Sequence, residues 1–175
     1  MHAEQGKIVT LFAVYVDEFV IGSDTELRQL WILEKLKQKF KIKELGVPEL
    51  ILWISLNWIS SSISSNRFYD HVYLSIPKRI QALLDMLSGG ASGIKVRSTP
   101  GSHLVTLNKS MCTPEDQRDA QDLDMQSLYR SAVGLLIWIQ QTIRYDISYA
   151  THRQASFLTN PGQNHFKALI WLAVY

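Results

Sequence analysis

GKIVTLFAVYVDEFVIGSD, residues 6–24, decides how this chain is read. Residues 7–16 alternate loosely and are rich in Ile, Val, Phe and Tyr, the pattern of a buried strand, and FVIGS at 19–23 is its return strand. Asp17 and Glu18 then fall at the tip of an apolar hairpin. Two-residue hairpin turns need positive φ and favour Asn-Gly or Asp-Gly. An Asp-Glu pair there brings like-charge repulsion and backbone strain, which points toward a function. The plain alternative is an exposed acidic turn.

Working outward, Asp24 or Thr25 is placed to cap a helix running to about Phe40, with Leu27, Leu30, Leu33, Leu36 and Phe40 at helical spacing. Lys35, Lys37, Lys39, Lys41 and Lys43 cluster at its end, as a solvated face or as a surface near a phosphate backbone. Gly46 and Pro48 break the pattern. Residues 49–59 read as one strand, 60–66 as a loop, 71–75 as the partner strand and 76–87 as an amphipathic helix. From Ser88 to about Asp124 periodicity dissolves, the mark of a linker and a subdomain boundary. The last third is helical: Leu128, Ala132, Leu135, Leu136 and Ile139 form one stripe, a second helix spans 145–158, and a third starts at Gln163 after the Asn160-Pro161-Gly162 stop. Trp53, Trp58, Trp138 and Trp171 sit in apolar contexts and are expected in the core.

Bulk properties narrow the classes. A chain of 175 residues, 46% hydrophobic, buries a real core. Its net charge of +2 is too mild to announce nucleic-acid binding, so a basic surface would have to come from local clusters. Cys112 is the single cysteine, which excludes an internal disulfide, argues against a Cys-based zinc site and fits a reducing compartment. There is no secretory h-region near Met1 and no apolar run near the ~20 residues of a membrane span. The expectation is a soluble, intracellular protein. His152 and His165 are too far apart for an i, i+4 metal pair, and His165 reads as a helix-start residue.

Four stretches in order carry a resemblance. They are GKIVTLFAVYVDEFVIGSD (6–24), LKQKFKIKELG (36–46), YRSAVGLLIWIQQTIRYDISYA (129–150) and SFLTNPGQNHFKALIWLAVY (156–175). Together they resemble the reverse transcriptase of copia-type (pseudoviral) long-terminal-repeat retrotransposons, with its Tyr-Val-Asp-Asp hairpin, Leu-Gly turn, Tyr-Arg-x-x-Val-Gly helix and Asn-Pro-Gly-x-x-His helix. Three departures stand out: Glu18 replaces the second hairpin Asp, Tyr145 replaces a Pro, and Trp53 falls where the family has Gly.

The resemblance implies an α+β fold: a partial polymerase palm, with a small antiparallel sheet and helices, followed by an α-helical thumb-like bundle. It assigns 1–90 to the C-terminal half of a palm, 91–124 to an irregular linker and 125–175 to a thumb-like segment ending before a ribonuclease H region. It implies RNA-directed DNA polymerisation with Mg²⁺, the two-metal chemistry in which ions about 4 Å apart serve the attacking and leaving oxygens. Asp17 and Glu18 become the catalytic, metal-binding pair. Tyr15, Val16, Arg130, Arg153 and Lys167 become contacts to an RNA–DNA template–primer, with deoxynucleotides as co-substrate. The fingers and first palm half, with a further metal-binding Asp, would lie upstream, so activity of this chain alone is not expected. The implied setting is cytoplasmic, in a virus-like particle, or nuclear. Arg144–Asp146 also reads as a salt bridge at a helix start, and the resemblance leaves two rivals to the polymerase reading: a non-catalytic nucleic-acid-binding remnant or a decayed transposon product.

Overall fold

The computed structural model describes residues 9–59, 71–88, 95–101, 106–114, 116 and 118–175. Positions 7 and 8 of the expected first strand and the expected 60–66 loop lie outside them. The chain divides into two compact units, Met1–Glu49 and Leu50–Tyr175.

In the first unit, β1 (Thr10–Tyr15) pairs antiparallel with β2 (Glu18–Ser23), in register from Thr10 opposite Ser23 to Tyr15 opposite Glu18. The Phe12 and Phe19 rings meet at 5.7 Å, the diagonal contact expected on one face of a hairpin. Helix α1 (Glu26–Lys37) follows, with Glu26 in its first turn and Lys35 and Lys37 in its last, each complementing the helix dipole. None of its residues is buried, and Leu27 is 81% exposed. The Leu stripe is present in sequence, but a two-stranded ribbon and one helix lack the second layer that would cover it.

The second unit holds a three-stranded antiparallel sheet, β3 (Leu50–Ile51), β4 (Ile54–Ile59) and β5 (His71–Ser75), in that order. The single strand expected over 49–59 is therefore a tight hairpin, with Ile51 opposite Ile54 and Leu52–Trp53 as its two-residue loop. Both loop residues have positive φ, 50° and 70°, the geometry for which glycine and asparagine are suited. Leu-Trp gives no turn signal, so the break is silent in the sequence.

Helix α2 (Pro77–Ser88) opens on Pro at its first position, where a missing N–H costs nothing. Helix α3 (Ala120–Thr142) starts earlier than expected, set by a reciprocal capping box: Asp119 accepts from the Asp122 N–H at 2.9 Å, and Asp122 accepts from the Asp119 N–H at 3.3 Å. The expected 145–158 helix is a 3₁₀ turn, Tyr145–Ile147, leading into a shorter α4 (Ser148–Ala155). Helix α5 (Gln163–Ala173) begins where the Asn-Pro-Gly stop placed it.

The core joins Ile76 and Leu83, at α2, to Val133, Leu136 and Ile139 of α3 and Leu169 of α5. Helix α2 thus shares one core with the C-terminal helices, and the division between compact units falls at 49/50 instead of within 91–124. The buried side of α3 runs through Tyr129, Ala132, Val133, Leu136 and Ile139, which shifts the expected stripe by about one residue: Leu128 and Leu135 are only half-buried. Of the four tryptophans expected in the core, Trp138 is half-buried and packs against it, Trp58 and Trp171 are half-buried, and Trp53 is exposed. No helix among the described residues is long and apolar enough to cross a membrane.

Candidate functional site

The hairpin register fixes the tip. With Tyr15 opposite Glu18, the two loop residues are Val16 and Asp17, and Glu18 is the first residue of β2. The expected Asp-Glu tip is thus displaced by one position, because the ladder extends as far as the residues flanking Val16–Asp17. Val16 has φ of 51°, an outlier for a β-branched residue, worth about 1–3 kcal/mol of strain. It is 87% exposed, so packing does not offset that cost. Tyr15 is exposed as well, which leaves strand packing as no explanation for either residue.

Asp17 and Glu18 are both exposed. Magnesium takes near-octahedral oxygen ligation from carboxylates on more than one element. Among the described residues no group of three or more His, Cys, Asp or Glu side chains is arranged to hold a metal. The carboxylates present therefore do not fit a magnesium site by themselves.

The basic residues expected at nucleic acid lie in the second unit and are largely occupied with the fold. Arg130 Nε donates to the Leu158 carbonyl at 2.9 Å, and Arg153 Nη2 donates to the Leu107 carbonyl at 2.7 Å. Lys167 is exposed on α5. In the first unit, Lys35, Lys37, Lys39, Lys41 and Lys43 are all exposed, and Lys37 pairs with Glu44.

The remaining motif residues act as staples. Tyr129 is 0% exposed, and its hydroxyl donates to Gln154, whose carbonyl lies at 3.0 Å and whose Oε1 at 2.7 Å; burial, with the nearby Cys112, pushes the phenol pKa well up. Arg144 forms a two-bond pair with Asp146, both contacts at 2.9 Å, and its guanidinium lies 4.9 Å from the Tyr175 ring. Their mutual bonding raises the arginine pKa and holds the carboxylate below its usual range. The salt-bridge reading of this pair is the observed one. A cavity of about 300 Å³ in the second unit is lined by apolar side chains such as Leu83, Ile139 and Leu172. Arg144, the one charged residue described in its lining, is already neutralised by Asp146.

The Asn-Pro-Gly-x-x-His stretch is an anchor. Asn160 Nδ2 donates to the Thr113 carbonyl at 2.7 Å, and the Gly162 N–H donates to Nδ1 of His165 at 3.0 Å. His165 thereby fills the capping role that Glu or Gln usually takes three residues into a helix. It is 0% exposed, and its Nε2 lacks a hydrogen-bond partner; burial lowers its pKa, with the Asn108 backbone opposing. Sequence reasoning placed His165 at the helix start but gave no sign of its burial. It also passed over Arg79, whose guanidinium lies 4.7 Å from the Trp53 ring and 5.4 Å from that of Trp138.

The homologues of this chain are retrovirus-related Pol polyproteins of plant transposons. It is 30% identical over 180 residues to the Pol polyprotein from transposon TNT 1-94 of Nicotiana tabacum, a match covering 99% of this chain and 12% of that protein. It is 27% identical over 168 residues to the Pol polyprotein from transposon RE2 of Arabidopsis thaliana, covering 95% of this chain and 10% of the relative. No family model and no solved structure matches the chain.

Proposed function

We propose that this chain is the reverse-transcriptase portion of a retrotransposon Pol polyprotein, comprising the second half of the palm and a thumb-like helical part. The observation that carries this reading is the hairpin tip. An exposed aspartate sits next to a strained valine on a two-residue loop whose ladder fixes the backbone on both sides. Strain held on a rigid hairpin, without burial to offset it, is the mark of a positioned functional group. The match to Pol polyproteins along nearly the whole chain supports the same reading.

Asp17 is then the carboxylate that this segment contributes to the catalytic centre, with Tyr15 and Val16 facing the template–primer. Glu18, one methylene longer than Asp and already in the strand, is an auxiliary acid. The described carboxylates do not form a magnesium site, so in this reading polymerisation requires ligands beyond them. The same finding favours a second reading, a nucleic-acid-binding remnant without catalysis.

Primer extension separates the two. The chain is assayed alone and joined in frame to the Pol segment that precedes the matching stretch in the Nicotiana tabacum relative. Extension by the joined protein only, abolished by Asp17→Asn, supports the polymerase reading. Extension that survives Asp17→Asn, or none from the joined and folded protein, refutes it.

A further inference from the structure

The segment 95–101 is fastened to the end of α5 by two long-range bonds. The Arg97 N–H donates to the Val174 carbonyl at 3.1 Å, and Trp171 Nε1 donates to the Thr99 carbonyl at 3.0 Å. The Arg97 guanidinium lies 4.0 Å from the same Trp171 ring. Arg97 and Thr99 therefore meet one indole, the first over its ring and the second at its N–H. Among the described residues no carboxylate pairs with Arg97, and its Nε is covered without a hydrogen-bond acceptor. Thr99 is exposed, and its hydroxyl donates to the Gly101 carbonyl at 3.0 Å in a local turn. Pro100 follows it. A proline biases the residue before it toward extended backbone. That is the form in which a hydroxyl enters the cleft of a proline-directed protein kinase.

We propose that Thr99 is a phosphorylation site, and that the phosphate pairs with Arg97 and clamps 95–101 onto α5. In the transfer, Thr99 Oγ attacks the γ-phosphorus of ATP and the bond from that phosphorus to the bridging oxygen breaks. ADP leaves with the electron pair, and the hydroxyl proton passes to the base of the kinase. The product carries about two negative charges and three strong acceptor oxygens. Arg97 supplies a fork of donors suited to them, including an Nε with no other acceptor. The bond to Gly101 is lost, since the esterified oxygen has no proton to give, but a charged pair is roughly twice as strong as a neutral bond. Thr113, the other threonine that precedes a proline, is the internal contrast. It is half-buried, its carbonyl accepts from Asn160, and Glu115 and Asp116 follow it, so a phosphate there meets like charge. Phosphorylation at Thr99 stands apart from the polymerase reading, and neither result decides the other.

The test uses the full chain, ATP and a proline-directed kinase shown to be active on a threonine–proline peptide, with sites mapped by tandem mass spectrometry. A single phosphate is expected, at Thr99; Thr99→Val is expected to take up none and to melt as wild type does. Phosphorus NMR then reads the second ionisation of the phosphothreonine, ordinarily at about pH 6. Pairing with Arg97 favours the dianion, so the midpoint is expected to be lower in wild type than in Arg97→Gln, with Arg97→Lys between them. Amide exchange reads the clamp. The Arg97 N–H is expected to exchange roughly tenfold more slowly once wild type is phosphorylated, and the corresponding amide of Arg97→Gln to be unaffected. Uptake at Thr113 in place of Thr99, or none by the folded chain, overturns the proposal. So does a phosphate whose midpoint ignores Arg97→Gln, or an Arg97 amide that exchanges at the same rate or faster after modification.

Discussion

Gly162→Ala tests whether the segment before α3 is seated against the start of α5. Gly162 has φ of −98° and ψ of 177°, ordinary extended backbone that alanine adopts freely, so the effect of the change is almost purely steric. A Cβ at this position would lie 1.9 Å from the Met111 carbonyl oxygen and 3.1 Å from its carbon. A relaxed carbon–oxygen contact is about 3.3 Å, so the oxygen would have to retreat by roughly 1.4 Å. It is backbone and cannot rotate away. Its 3₁₀ turn, Lys109–Met111, is capped by the Asn108 side chain, and Thr113 just beyond is held by Asn160. Overpacking of this kind costs about 1–3 kcal/mol, and alanine is also a poorer helix N-cap than glycine. A total of about 2–4 kcal/mol is expected, read by urea denaturation followed by tryptophan fluorescence and far-ultraviolet circular dichroism. A variant within roughly 0.5 kcal/mol of wild type would show that the close approach does not exist, and the anchoring role of the Asn-Pro-Gly stretch would fall with it.

The opposite sign is expected for Gly134→Ala, on the exposed face of α3, where an added Cβ meets nothing within 4 Å. It should stabilise by about 0.5–1 kcal/mol in the same denaturation assay. Tyr129→Phe removes the donor to Gln154 and should lower the urea midpoint by the equivalent of about 1–3 kcal/mol, with an unchanged slope if the cost is confined to that bond. His165 gives a pH signature. Its folded pKa lies below the ordinary 6.5, so above that pH both states are neutral and its contribution is fully present; below it the unfolded chain takes up a proton first, and stability falls until pH passes the folded pKa. His165→Gln keeps an acceptor for the Gly162 N–H, and melting curves from pH 8 to 5 should show this part of the slope removed.

What could be read from residues depended on whether a local signal existed. The first hairpin, α2 and the start of α5 announce themselves through period and through Pro and Gly punctuation. The turn at Leu52–Trp53 does not, because its backbone asks for residues the chain does not supply there. The stretch from Lys95 to Thr113 has no periodicity and reads as a linker, yet its described parts, 95–101 and 106–113, are pinned: the Arg97 N–H donates to the Val174 carbonyl, Trp171 Nε1 to the Thr99 carbonyl, and Arg153 to the Leu107 carbonyl. Such long-range bonds to single carbonyls leave no pattern in the segment that receives them. At the candidate site, the strained tip was legible from its acidic pair, displaced by one residue. The packing of Arg79 against two tryptophans depended on tertiary contact and was not.

The side-chain clasps of the second unit bear on how such sequences age. Tyr129, Arg130, Arg153 and Asn160 each donate to a carbonyl some 25–47 positions away, and losing any of them leaves that group searching for another partner. A chain altered elsewhere on its surface would still depend on these clasps for its stability. Likeness to the relatives in the carboxyl-terminal half therefore reports first on foldability, and the proposed chemistry is tested separately, at the hairpin.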